Sequence, residues 1–153
     1  MDLGLGGRRF LLTGASRGLG LATARALVDD GARVLISSRS AYAVSAAVEA
    51  LGPAASGVAA DLADAGAADT LVAETLEHLG GVDGALISVG GPAPGSVLEV
   101  GEDAWRTAVD SVLLGPLRLV RALVPHLGDG AAIGFVLSTS VRQPIGNLSL
   151  IHI

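Results

Sequence analysis

The chain has 153 residues, 50% of them hydrophobic and 22 of them glycine, and it contains no cysteine; that length suits one domain able to bury a core, and the composition fits a buried α/β sheet with tight turns rather than a disordered chain. Its ten Lys-plus-Arg residues are all arginine and lie scattered among 15 acidic residues for a net charge of −5, so no basic face for nucleic acid is present, and the lack of cysteine removes disulfides, thiol catalysis and cysteine metal sites. No stretch reaches the ~18 uncharged apolar residues of a membrane helix and the N-terminus lacks the apolar run of a secretory signal, so a cytoplasmic location is the expectation.

Short apolar runs alternate with longer segments of helical period, the pattern of βαβ units and a parallel sheet. A first strand is predicted at about 8–13, then the turn Thr13-Gly14-Ala15-Ser16-Arg17-Gly18-Leu19-Gly20, then a helix over about 18–30 that stops at Gly31. A strand at 33–37, a helix at 40–51 before Gly52-Pro53, a strand at 57–60 and a helix at 64–79 before Gly80-Gly81 follow, each strand bounded by Gly, Asp or Ser and each helix closed by glycine. The fourth strand is predicted at 84–89, and Gly91-Pro92-Ala93-Pro94-Gly95 reads as a loop. The longest helix is predicted over 102–127 with a kink at Gly115-Pro116, because proline removes a backbone donor and crowds the preceding turn. A fifth strand at 132–138 follows, and residues 147–153 are apolar and uncapped. No repeat, linker or second domain interrupts the pattern, and residues 1–153 read as a single, partial dinucleotide-binding domain.

The chemistry that this order suggests lies in the first turn. A glycine-rich turn between strand and helix lets the backbone come close to a pyrophosphate, while the free N–H groups and dipole of the helix N-terminus receive its charge. Gly14, Gly18 and Gly20 supply that turn, with Thr13, Ser16, Arg17 and Leu19 around them.

Thr13 to Gly20 spell T-G-x-x-x-G-x-G, and in this the chain is similar to the short-chain dehydrogenase/reductase family. Several later positions agree with the resemblance. Asp61-Leu62 match the family's adenine-contacting pair, Trp105 with Gly115-Pro116 match the helix along its dimer interface, and Ser138 matches its catalytic serine. The resemblance spans about residues 8–140 and implies a Rossmann-type, doubly wound parallel sheet of about five strands in the order 3-2-1-4-5, incomplete relative to the family. It also implies an oxidoreductase acting on a carbonyl or alcohol substrate, with self-association as the expected state.

Cofactor choice is read at the end of the second strand, Leu35-Ile36-Ser37-Ser38-Arg39. An acidic residue there would accept hydrogen bonds from an NAD ribose and repel a 2′-phosphate. Ser38 followed by Arg39, with Arg17 in the turn, suits the extra phosphate of NADP(H); the competing reading is that Arg39 caps the sheet edge or pairs with a surface carboxylate.

Three departures count against a complete active site. The family's Asn-Asn-Ala-Gly after the fourth strand is here Ile87-Ser88-Val89-Gly90, so that Val89 and Gly90 carry what remains of that cofactor contact, and the long helix has Val112 where the family usually has Asn. The Tyr-x-x-x-Lys motif should begin about 13 residues after Ser138, at Ile151; the only tyrosine is Tyr42, and there is no lysine. The phrase Ser138-Thr139-Ser140-Val141-Arg142-Gln143-Pro144-Ile145 resembles a divergent bacterial branch, similar to oxoacyl-carrier-protein reductases, in which that pair is itself replaced. Truncation, divergence or both account for the loss. Two functions therefore stand: an NADP(H)-dependent oxidoreductase, weak or inactive as this chain alone, and a non-catalytic dinucleotide-binding or interaction module. His78, His126 and His152 fall on separate elements, and no metal site is expected.

Overall fold

The structure is a computed structural model that describes residues 3–143. Its elements alternate strictly at first: β1 (Arg9–Leu12), α1 (Gly18–Asp29), β2 (Arg33–Ser38), α2 (Ala41–Leu51), β3 (Ala55–Ala59), α3 (Ala67–Leu79) and β4 (Val82–Ile87). Then come α4 (Glu102–Ala108), a π-helical stretch (Val109–Leu114), α5 (Gly115–Leu123), a 3₁₀ turn (Val124–His126), β5 (Leu127–Phe135) and a second 3₁₀ turn (Thr139–Val141). The strands form one sheet in the order β3-β2-β1-β4-β5, and every pairing is parallel. This is the order expected from the sequence resemblance.

Strand periodicity decides which helices cover which face. Successive strand residues point to opposite sides, so Leu11 and Leu35 join Leu71, Val72, Leu119 and Leu123 of α3 and α5 in one buried cluster. Leu12, Val34 and Ile36 face the other way and pack with Ala24, Val44, Ala47 and Leu51 of α1 and α2. Both faces are thereby covered, which is why β2 reads as an unbroken apolar run rather than an alternating one.

The base of the sheet is held by arginine. Arg9 grips Asp83 through Nε and Nη2, at 2.8 and 3.0 Å, and its own backbone N–H donates to the same carboxylate. Arg33 donates to the carbonyls of His78 and Leu79, and Arg9 to that of Gly80, so two guanidinium groups receive the C-terminal carbonyls of α3, where the helix dipole favours positive charge. The Arg9 guanidinium holds the Asp83 carboxyl well below its ordinary range, at about 2. Because the unfolded chain binds the proton more readily, this contribution to stability is complete above the ordinary aspartate pKa and is lost as pH falls from about 4 through about 2. Asp83→Asn is expected to cost about 1–2 kcal/mol at neutral pH and to flatten the acid limb, so that variant and parent converge below about pH 2; urea denaturation at pH 7 and at acid pH checks this.

Element boundaries differ from the sequence expectations in several places: β4 runs Val82–Ile87 rather than 84–89 and α3 begins at Ala67 rather than 64, and three further differences have identifiable causes. β3 begins at Ala55 rather than 57; its Ala-Ser-Gly run lacks β-branched residues, but Gly57 admits Val44 and Val48, whose methyls would lie 2.5 and 2.7 Å from a Cβ there. The predicted helix over 102–127 is an unbroken run of helical turns, Glu102–His126, but not a uniform α-helix. Its ladder slips to i→i+5 over Val109–Leu114, the Gly115 N–H bonding to the Asp110 carbonyl, because Pro116 has no N–H to offer the i−4 carbonyl of Val112. The irregularity thus falls in the turn before Gly115-Pro116 rather than at it. Finally β5 starts at Leu127, not 132: Pro125 ends the helix, Leu127 pairs with Val82, and the chain detours through Gly128-Asp129-Gly130 before Ala132 meets Gly84. The 147–153 segment, with the tyrosine position Ile151 and with His152, lies outside the described residues.

Candidate active site

Between β1 and β4 the order of connection reverses, and the crevice outside the carboxyl ends of the strands at such a switch point is where open α/β sheets take ligands. The glycine turn lies there, its start joined to Ser37 of β2 and to Ser88 after β4. Gly14 (φ +59°) and Gly18 (φ +56°) take left-handed backbone, a conformation disfavoured for any residue with a Cβ. Gly20 is required by proximity instead: a Cβ there would lie 2.6 Å from the Gly14 carbonyl oxygen and 2.8 Å from the Ala15 Cα. Arg17 is the N-cap of α1 with extended backbone and no side-chain cap, which leaves the N–H groups of the first turn unclaimed by a capping side chain. Ser16 is half-buried, Arg17 exposed, and Leu19 70% exposed at the mouth.

Two braces fix this turn to the sheet. The Ala15 N–H donates to the Ser37 carbonyl at 3.0 Å. Buried Thr13 works in both directions, its Oγ1 donating to the Ser88 carbonyl at 2.8 Å and accepting from the Ser88 N–H at 3.0 Å. Sequence reasoning missed this exchange. It addresses only main-chain atoms of residue 88, so no side-chain pattern announces it, and it needs no asparagine at the end of β4.

At the end of β2, Ser38 is half-buried, and its Oγ is a buried polar atom without a hydrogen-bond partner among the described residues. Arg39 is exposed, with Nη2 at 3.9 Å from where a Cβ on Gly90 would stand, so its guanidinium reaches from β2 across to the segment after β4. Asp61 accepts a 3.0 Å bond from the Ala63 N–H. Leu62 is 8% exposed and packs into the α3/α5 cluster, with its carbonyl against Gly115. Val89 packs against the same cluster, half-buried, and Gly90 is exposed.

Ser138 lies three residues beyond β5. Its Oγ accepts a 3.1 Å hydrogen bond from the Ser140 N–H and caps the 3₁₀ turn, which orients the hydroxyl and leaves its proton free to donate. Tyr42 opens α2 at 85% exposure, on an element packed against β2 and β3 and away from Ser138. Among the described residues no group of three or more His, Cys, Asp or Glu is placed to hold a metal ion, and no helix is long and apolar enough to cross a membrane.

Comparison with known proteins decides the family. The family model for short chain dehydrogenases matches residues 8–150. The chain belongs to that family. Among its short-chain dehydrogenase relatives is human Dehydrogenase/reductase SDR family member 2, mitochondrial, 34% identical over 97% of this chain and 55% of its own length. A short chain dehydrogenase from Burkholderia cenocepacia J2315, solved in complex with NADP, is 34% identical with a TM-score of 0.88, covering 95% of this chain and 62% of that one. The 3-ketoacyl-(acyl-carrier-protein) reductase of Brucella melitensis, solved with NADH, is 28% identical with a TM-score of 0.90, over 96% and 64%. The chain thus spans little more than half the length of the first of these short-chain dehydrogenases and about two-thirds of the other two.

Proposed function

We propose that the chain supplies the NADP(H)-binding portion of a short-chain oxidoreductase acting on a carbonyl or alcohol substrate. The observation that carries the cofactor preference is the end of β2: a buried Ser38 hydroxyl lacking a partner, followed by Arg39 instead of a carboxylate. An unpaired buried hydroxyl costs about 1–3 kcal/mol; a ribose 2′-phosphate would pair with the exposed Arg39 and Arg17 guanidinium groups, and turning the Ser38 side chain toward it would give that hydroxyl its partner. The glycine turn would hold the pyrophosphate on the N-terminus of α1, and Asp61 with the Leu62 main chain would meet the adenine.

A bound nicotinamide supplies or receives the hydride. The remaining step falls to Ser138, whose hydroxyl, oriented by the Ser140 N–H, donates to the substrate oxygen and holds it at the end of β5. No tyrosine or lysine accompanies it, and loss of a general acid typically lowers rate by ~10²- to 10⁴-fold; turnover by this chain alone is therefore slow. The placement of Tyr42 on α2 favours the second reading to the same degree, a dinucleotide-binding module without catalysis. A cytoplasmic location and self-association complete the proposal, the latter supported by the exposed residues Leu113 and Leu114 of the π-helical stretch, Leu117 of α5 and Val124 of the 3₁₀ turn after it.

Calorimetric titration tests the cofactor reading. NADPH is expected to bind more tightly than NADH, and Arg39→Ala to weaken NADPH by about 10-fold or more, the value of a charge-assisted pair, while leaving NADH unchanged. Equal loss for both dinucleotides would reject the 2′-phosphate contact.

A further inference from the structure

Beside Ser138 the surface opens into a recess lined by Leu137, Ser138, Thr139, Arg142 and Gln143. We propose that this recess is the substrate's anion subsite, in which Arg142 binds a carboxylate carried by the carbonyl or alcohol substrate. The inference rests on the proposed oxidoreductase reading and narrows its substrate to an oxo- or hydroxy-carboxylate.

Ser138 and Arg142 are the two caps of one 3₁₀ turn: the Ser138 hydroxyl accepts from the Ser140 N–H at its start, and the Arg142 N–H donates to the Thr139 carbonyl at 2.9 Å at its end. At about 2 Å rise per residue the turn sets the two cap residues about 8 Å apart along its axis, so a hydroxyl for the reacting oxygen and a guanidinium border the same recess. Leu137, 83% exposed, provides an apolar wall for the carbon chain between those ends. Arg142 is exposed and forms no ion pair with any described residue, so its charge is available.

The adenosine side of the cofactor does not account for this arginine. In the sheet order β2-β1-β4-β5, strand spacings of about 4.8 Å put the end of β5 about 14 Å from the end of β2, where Arg39 serves the adenosine side. A carboxylate suits the recess better than a phosphate, because one planar guanidinium matches a carboxylate bidentately, whereas a dianionic phosphate calls for more than one cation or a cluster of backbone N–H groups.

The test is ligand-observed NMR on the full chain with acetoacetate and its neutral counterpart methyl acetoacetate, each with and without NADPH. Acetoacetate is expected to bind more tightly than the ester. Arg142→Leu should weaken the acid by about 10- to 100-fold, Arg142→Lys should restore part of the loss, and neither should change the ester or the NADPH affinity. Equal binding of acid and ester, no binding of either, or an Arg142→Leu effect that falls on NADPH instead would overturn the proposal. A parent chain that discriminates acid from ester but binds no NADPH would reject the cofactor reading alone.

Discussion

Gly14→Ala is expected to destabilise the chain by about 3–4 kcal/mol and to abolish dinucleotide binding. Two costs add. A side chain at φ +59° costs about 1–2 kcal/mol, and the new Cβ would lie 2.6 Å from the Ser88 carbonyl oxygen, a main-chain atom that cannot rotate away. Relief requires the ends of β1 and β4 to separate, which breaks the two hydrogen bonds of Thr13, worth about 1 kcal/mol each. Gly18→Ala is the control: its φ is +56°, but nothing lies within 4 Å of a Cβ there, so it should lose only about 1 kcal/mol. Urea denaturation followed by circular dichroism separates them, and similar midpoints for the two variants would dismiss the steric account.

Gly115→Ala carries the second large expectation, and its sign is the test. Gly115 has ordinary helical backbone, φ −57°, so propensity alone predicts that alanine stabilises by about 1 kcal/mol. The fold predicts the reverse, because a Cβ would run into the Leu62 carbonyl oxygen beneath it, with the Leu62 carbonyl carbon and Cβ at 2.9 Å. The start of α5 would have to lift from the β3–α3 connection, at about 1–3 kcal/mol for an overpacked contact. A lowered urea midpoint, with faster amide exchange over residues 109–116, is the expected result; a raised midpoint would mean that the loop yields.

Those two glycines mark where sequence reasoning was strong and where it failed. The spacing of Gly14, Gly18 and Gly20 between a strand and a helix depends on local geometry and was readable, as were the alternation of elements and, through the family resemblance, the strand order. Gly115 was readable as a helix irregularity, yet the slip to π geometry before it and the close approach of Gly115 itself to the Leu62 carbonyl exist only in the folded molecule. β3 escaped its true start because Ala55, Ser56 and Gly57 owe their strand to the valines of α2 packing over them, a tertiary effect that overrides propensity. Within the site, Ser38 and Arg39 were chosen for their chemistry, but the burial of the Ser38 hydroxyl without a partner is a property of the folded sheet. The capping role of Ser138 was likewise invisible until Ser140 stood beside it.

The exchange between Thr13 and Ser88 has a mechanical meaning. It stitches Thr13, at the entry to the glycine turn, to the first residue after β4. Moving the turn away from the end of β4 therefore requires two hydrogen bonds on one buried hydroxyl to break together, so the crevice floor between β1 and β4 opens in a single step or not at all.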